Sequence, residues 1–364
     1  MSYHDSDSYL ACVLFGIFKI APSMTSKKTS FLLCFILTVN LAVAQDQQIG
    51  IIDFFGLRTI SEQQVRSALG LRERDTLPLS FSSIEKRIVH TLRVSEAHIN
   101  VVCCDDSGNL ILFVGIRESR AKHSMYRTAP HWEISLPQEI TDSYNSFFEA
   151  MERAVSNGIT GDDISHGHSL MADSATRSWQ ERFPGYARHQ LKILRTVLRN
   201  SADAEQRAIA AYVIGYASDK RLVTDDLLIA AVDEDEVVRN NAARALAAIA
   251  TLAQRKPSLQ IKISVAPFIN MLSSPVWTDR NKALMILSIM TKKRDRNLLR
   301  QLREKSFRPL VEMARWKSRG HAYNAFLILG RAGGIPERQL AKVAWDVPRR
   351  NALIDKIIKA NRRK

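Results

Sequence analysis

The C-terminal half of the chain repeats a helical block, and this repetition constrains the fold more than any other feature. Four blocks of eight residues each keep a small alanine at the fourth position and a large aliphatic residue at the eighth. The blocks begin at Arg207, Arg239, Arg280 and Ala322, which lie 32, 41 and 42 residues apart. Periods in the thirties and forties with two helices per unit predict an α-solenoid, in which each helix pair buries its apolar face against its neighbours.

The second block lies in the most specific stretch, residues 233–246. It reads Asp-Glu-Asp-Glu-Val-Val-Arg-Asn-Asn-Ala-Ala-Arg-Ala-Leu and resembles the HEAT family, whose pattern is Asp-x-x-Val-Arg-x-x-Ala-Ala-x-Ala-Leu. The resemblance implies an all-α, right-handed HEAT-type solenoid of about five helix pairs over residues 186–364. A short inserted helix is expected near Leu298 to Lys305, and the last pair, around Pro336 and Trp345, departs from the pattern as terminal repeats often do.

Two sets of side chains in this region are expected to be structural. The resemblance implies that Arg239 pairs with an acidic residue of the preceding turn, either Asp233 or Asp235. Four aromatic residues lie among the basic stretches and could stack on a ligand, but aromatic residues at helical spacing are more often part of a core. They are Tyr212, Trp277, Trp316 and Trp345.

The N-terminal region has a mixed pattern. A strand over 49–55 precedes a helix that opens on a capping box of Ser61 and Gln64, and Ser82 opens a second helix. Two strands flank the turn residues 105–109, which favour a hairpin. The order β-α-α-β-β over residues 45–120, with the step Leu69-Gly70-Leu71, resembles a POTRA domain, a small periplasmic module. The fold class predicted for the whole chain is therefore α+β, with a small POTRA-like domain before the solenoid.

The region between these domains, residues 121–185, is predicted to be a linker. It contains one helix over about 142–155 and a polar loop over 158–168.

Residues 1–44 predict an export signal. Met24 begins a basic lead-in, Lys27-Lys28, to the apolar run Phe31 to Ala44, which is too short to span a bilayer comfortably. Small residues at 42 and 44 predict cleavage between Ala44 and Gln45, with Met24 as the true start of translation. The mature protein would then be periplasmic or associated with the cell envelope and have no transmembrane span. The alternative is an uncleaved membrane anchor.

Cys103 and Cys104 are the two cysteines that remain after such a cleavage. They are adjacent in a strand-like run, where successive side chains point to opposite faces. We therefore expect two free thiols, one buried and one at an edge, and no disulfide framework.

One loop contains residues of the kinds that bind metals. Asp162, Asp163, His166 and His168 are possible zinc ligands, although the two histidines lack the helical spacing of hydrolase motifs. Ser169 lacks the glycine-flanked elbow of serine hydrolases. Because no other catalytic arrangement is recognisable, we expect a non-enzymatic protein without a cofactor, and a metal-dependent enzyme is a remote alternative.

Charge suggests the kind of partner. The chain has a formal net charge of +15, and residues 190–364 contain 34 Lys and Arg against 16 Asp and Glu. The candidate partner-binding residues are Lys292, Lys293, Arg294, Arg296, Arg300, Arg303 and Lys305. We expect a protein-binding scaffold that holds an acidic protein. The alternatives are binding to an anionic surface such as phospholipid, to nucleic acid, which export disfavours, or a solvated helix face with no partner.

Overall fold

The computed structural model describes residues 48–119 and 126–362. It has a small N-terminal sheet followed by many helices, which confirms the α+β class. The predicted start at Met24 and the predicted cleavage between Ala44 and Gln45 lie outside the described residues. Within the described part of the chain, no helix is both long and apolar enough to cross a membrane.

The N-terminal elements follow the predicted order. They are β1 (Ile49–Phe55), α1 (Glu62–Leu69), α2 (Ser82–Leu92), β2 (Glu96–Val102) and β3 (Leu110–Arg117). The three strands form one sheet in the order β1-β3-β2. β1 runs parallel to β3, and β2 pairs with β3 in the predicted antiparallel hairpin.

Local signals set the bounds of α1 and α2. Ser61 and Gln64 form the predicted capping box, and α1 ends at Gly70, whose φ of 66° suits glycine. Ser82 is the first residue of α2 rather than its cap. The Glu85 carboxylate, in the first turn of α2, accepts a hydrogen bond from the Ile99 amide of β2 at 2.7 Å. Glu85 therefore joins α2 to the sheet.

The two faces of the sheet pack against different parts of the chain. One face packs on α1 and α2 through Ile52 and Val114. The other face contributes Phe113, whose ring lies 5.3 Å from that of Trp277 and 4.8 Å from that of Trp316. This second face shares one core with the C-terminal helices, so the sheet is fastened to them.

The expectation of two free thiols is wrong. Cys103 and Cys104 are joined by a disulfide across a cis peptide bond. The physical reason is that β2 ends at Val102. Both cysteines therefore lie in the loop before β3, where the alternation of side chains along a strand does not apply.

Residues 126–189 have more regular structure than the predicted linker. They form α3 (Gln138–Ser156), a short hairpin of β4 (Asp162–Asp163) and β5 (Leu170–Met171), α4 (Ser174–Gln180) and α5 (Phe183–His189). The α3 ring of Phe147 lies 4.9 Å from that of Tyr212, in the next part of the chain. This segment is therefore packed into the core, and it does not separate two independent bodies.

The remaining α-helices pack in consecutive pairs, apart from one. The pairs are α6 (Leu191–Asn200) with α7 (Ala204–Ile214), α8 (Lys220–Ala230) with α9 (Glu236–Arg255), α10 (Ala266–Met271) with α11 (Trp277–Met290), α13 (Phe307–Ala314) with α14 (Arg319–Ala332), and α15 (Glu337–Val343) with α16 (Val347–Asn361). The inserted helix α12 (Arg296–Lys305) packs on α13 and α14. The second helices α7, α9, α11 and α14 pack each on the next, and we call them the helix row.

Small residues allow these helices to approach closely. Ala242, Ala283 and Ala325, all at the fourth position of the repeated block, are fully buried. A Cβ at Gly215 would lie 2.8 Å from the Cβ of Ala245, so the contact between α7 and α9 excludes any larger residue there. The pattern in the sequence thus corresponds to contacts between successive helices.

Candidate functional site

The seven cations predicted to bind a partner lie in and beside α12. They are Lys292 and Lys293 in a 3₁₀ turn, Arg294 after it, and Arg296, Arg300, Arg303 and Lys305 on the helix. α12 begins where the Asp295 carboxylate accepts a hydrogen bond from the Leu298 amide at 2.8 Å. The apolar residues Leu298 and Leu302 face inward, which turns the cations outward.

Two of these arginines fasten α12 to its neighbours. Arg294 donates to the carbonyl oxygen of Ile335 at 2.6 Å and to the Glu337 carboxylate at 3.1 Å. Arg303 donates one Nη1 hydrogen bond to the carbonyl oxygen of Ala332 at 2.8 Å. The charge of Arg294 is thus paired, whereas Arg303 keeps further donors and its full charge.

The other five cations are exposed. Among the described residues, no acidic side chain forms an ion pair with any of them. Arg300 donates to the Asn297 side chain at 2.9 Å, which leaves its charge unneutralised. A shallow depression of about 470 Å³ lies over the helix, lined by Arg296, Asn297, Leu299, Arg300 and Arg303. We call Arg296, Arg300 and Arg303 the arginine stripe.

The predicted metal loop has a different role in the structure. Asp162 accepts hydrogen bonds from Arg244 of α9 at 2.9 Å and from the Ser169 hydroxyl at 2.6 Å. The Nε2 atom of His166 lies 3.7 Å from the Asp163 carboxylate. In the described part of the chain, no group of three or more His, Cys, Asp or Glu side chains is placed to hold a metal ion.

Ser169 belongs to a buried hydrogen-bond network rather than to a nucleophilic pair. Gln180 donates to the hydroxyls of Tyr212 and Tyr216 at 3.1 Å each, and Tyr216 donates to the Ser169 carbonyl oxygen at 2.8 Å. Burial raises the pKa of both tyrosines above the ordinary value near 10, so their hydroxyls remain hydrogen-bond donors at neutral and mildly alkaline pH. Together with the hydrogen bonds that Arg244 of α9 donates to Asp162 and to the Ser169 hydroxyl, these bonds hold the β4–β5 hairpin on α7 and α9.

A small cavity of about 10 Å³ lies beside this network, which is room for one water molecule. The Nδ1 atom of His168 is buried there and has no hydrogen-bond partner among the described residues. Burial lowers the pKa of His168 to about 4, and the nearby charge of Lys220 adds to the effect.

Comparisons with protein-family models, with curated proteins and with solved structures found no match.

A buried ladder of arginine and aspartate joins the helix row. Arg207 of α7 donates to the Asp233 carboxylate at 2.8 and 3.0 Å, and Arg239 of α9 donates to the Asp279 carboxylate at 2.8 and 2.9 Å. The expected side-chain pairing of Arg239 with Asp233 or Asp235 is wrong. Arg239 reaches the Asp233 carbonyl oxygen only, while the Asp235 carboxylate caps α9. The charge partner of Arg239 lies on α11, because the helix row places α9 and α11 side by side.

Two residues from the predicted linker complete this ladder. Arg127 donates to the Asp233 carboxylate at 2.9 Å and to the carbonyl oxygen of Leu198 at 2.9 Å. The Tyr126 hydroxyl donates to the Asp279 carboxylate at 3.0 Å, and its ring lies 4.0 Å from the guanidinium of Arg239. Sequence reasoning missed both residues, because a tyrosine and an arginine in a polar stretch carry no local signal of a distant partner.

The third arginine of the ladder has an aromatic partner instead of an acidic one. Arg280 of α11 is fully buried and donates through Nη1 to the carbonyl oxygen of Ser274 at 2.6 Å, but its Nε and Nη2 atoms have no partner in the described regions. Its guanidinium lies 4.0 Å from the ring of Phe55 in β1 and 5.6 Å from that of Trp316. The sheet thus docks on the helix row where the ladder ends.

The aromatic residues predicted to be structural are divided by exposure. Tyr212, Trp277 and Trp316 are buried. Trp345 is 39% exposed and stacks on Tyr323 with the ring planes 15° apart. The core role therefore holds for three of the four.

Proposed function

We propose that this chain is an exported protein-binding scaffold of the HEAT-repeat class that holds an acidic partner protein in the cell envelope through α12 and the turn before it. The main support is the group of exposed cations on α12 and in the turn before it, whose charge no acidic residue of the described regions neutralises. Such a surface attracts an acidic protein and steers its approach.

The helix pairs support the HEAT-type part of this proposal. Five pairs follow one another, the second helices of the first four form the helix row, and the repeated alanines lie at the contacts between these four helices. Repeats of this kind commonly serve as extended binding surfaces, although the fold alone does not identify the ligand.

The POTRA-like domain would act as a fixed part of the scaffold. Its sheet is held by Lys317, whose amide donates to the Asp53 carboxylate at 3.1 Å, and by Glu312, whose carboxylate accepts from the Gly56 amide at 2.7 Å. Tyr126 and Arg127 form hydrogen bonds with the buried aspartates of the ladder in the helix row. Since the chain's own residues cover these positions, α12 is the better candidate for the partner surface.

A pull-down of the tagged full chain from its native envelope tests the proposal. We expect an acidic protein to be captured in low salt and released in high salt, because exposed charges are screened. The double reversal Arg296→Glu and Arg300→Glu should lose it. The reversal Lys256→Glu with Lys262→Glu makes the same change in net charge at exposed sites outside α12 and should retain it. Equal loss in both variants, or no specific capture by the unmodified chain, would contradict the proposal.

The second candidate is an anionic surface, favoured by the excess of 34 Lys and Arg over 16 Asp and Glu in residues 190–364. Binding to anionic vesicles and to DNA over a salt series measures it. Phosphate contacts give a steep salt dependence, so flat or absent binding removes this candidate.

A further inference from the structure

The arginine stripe has the spacing of one helix face. Arg296, Arg300 and Arg303 stand at positions i, i+4 and i+7 of α12, so their side chains follow one another along the same side. From the first to the third, the helix rises about 10 Å. Leu299, which also lines the depression, is 8% exposed.

Acidic residues mark both ends of the stripe. The exposed Asp295 precedes Arg296, and the exposed Glu304 follows Arg303. The two lysines of the turn and Lys305 lie beyond these acidic residues. A uniform polyanion that passes along this surface meets like charge at both ends, whereas a short element with its own charge pattern does not.

We propose that the acidic partner presents an α-helix with carboxylates at i, i+4 and i+7, which packs along α12 so that each carboxylate meets one arginine of the stripe. This inference rests on the proposed function and names the element that the surface recognises. Carboxylates at this spacing lie about 6 Å apart on one helix face, as the arginines do. Guanidinium groups suit them because the planar fork pairs with a carboxylate through two parallel hydrogen bonds.

The structure leaves these groups available for pairing. Arg296 and Arg300 are exposed and unpaired with any acidic residue of the described regions. Arg303 uses only one donor on the carbonyl oxygen of Ala332, and this bond fixes the direction of the side chain. The end of the stripe nearest the helix C-terminus is thus held in place before any ligand arrives, which reduces the ordering cost of binding.

Fluorescence anisotropy with the full chain and a labelled synthetic helix tests the inference. The first peptide carries three glutamates at i, i+4 and i+7 on an alanine-rich helix. A control peptide has the same composition with the glutamates distributed around the helix. We expect the first peptide to bind about tenfold more tightly than the control, in proportion to the exposed pairs it can form.

Charge reversal assigns the site. Arg296→Glu with Arg300→Glu should abolish binding of the glutamate peptide and create binding of a matching lysine peptide. The control reversal Lys256→Glu with Lys262→Glu should leave both results as in the unmodified chain. Equal binding of the two glutamate peptides, or equal loss in both reversal variants, would overturn the inference.

Two further measurements separate this inference from the proposed function. Vesicles containing phosphatidylglycerol, or single-stranded DNA, that compete for the stripe more strongly than the peptide would also overturn the helix assignment. A native partner that is captured and lost on reversal of the stripe, while the peptide fails to bind, would leave the scaffold function standing and refute only the helical element.

Discussion

Removing the charge of Asp233 should destabilise the chain more than any other single change in the ladder. Its carboxylate is fully buried and accepts from the fully buried Arg207 and from Arg127, and also from the Asp235 amide at 3.0 Å. Burial alone would raise the pKa of Asp233, but these hydrogen bonds lower it, and the bond from Arg207 has the largest effect among them. Asp233→Asn leaves two guanidinium groups facing a neutral amide, whose own N–H donors oppose theirs.

The size of the effect follows from how much water reaches the arginines. Leaving a buried charge without its partner costs about 3–5 kcal/mol in the free energy of unfolding. Asp226→Asn is the matched control, because Asp226 is equally buried but its partners Arg195 and Arg199 are 37% and 39% exposed. Water can solvate those guanidinium groups after the change, so we expect a loss of only about 1 kcal/mol.

Urea denaturation followed by circular dichroism measures both variants. A second arm adds Arg207→Met to Asp233→Asn, which removes one uncompensated charge and should restore part of the lost stability. If Asp233→Asn cost no more than Asp226→Asn, the ladder would not be a stabilising element of the helix row. The same conclusion would follow if the added methionine substitution lowered stability further by the full cost of a second broken pair.

Three further predictions concern the sheet and the place where it docks. Burial raises the pKa of Asp53 from 3.8 to about 6. The protonated side chain therefore contributes stability below pH 4, and up to about 3 kcal/mol of it should be lost as the pH rises through 6. Asp53→Asn should flatten the pH profile of the free energy of unfolding measured by urea denaturation. Glu118 accepts from the amides of residues 58–60 and from the Thr59 hydroxyl, and although its burial opposes the shift, these bonds lower its pKa to about 2. Glu118→Gln should therefore cost about 1–3 kcal/mol at pH 7 and progressively less as the pH falls toward 2, as measured by thermal unfolding. Arg280→Met should leave the free energy of unfolding unchanged or raise it by about 1–2 kcal/mol, because the buried guanidinium has donors without partners. The control Arg207→Met should lower the free energy of unfolding. Similar losses of stability in both variants would contradict this reasoning.

The sequence predicted the features that depend on neighbours along the chain. The capping box of Ser61 and Gln64 needs residues only three positions apart, and the β2–β3 hairpin needs a turn between two strand patterns. The repeated alanines indicated paired helices because periodicity reflects which side of a helix is buried. Clustering of positive charge near α12 was likewise a property of adjacent residues.

Tertiary structure decided which distant groups meet. Arg239 pairs with Asp279, 40 residues away, and Arg127 reaches Asp233 from a segment that the sequence predicted to be a linker. It also decided that the ring of Phe55 lies over the guanidinium of Arg280, which forms no ion pair with a side chain of the described regions. A buried charge takes whichever partner the packing of helices and sheet brings within hydrogen-bond distance, and no spacing along the chain encodes that choice. The sequence by itself therefore determined the elements and the location of the charge, while the stacking of the helices determined which charges are neutralised inside and which remain on the surface.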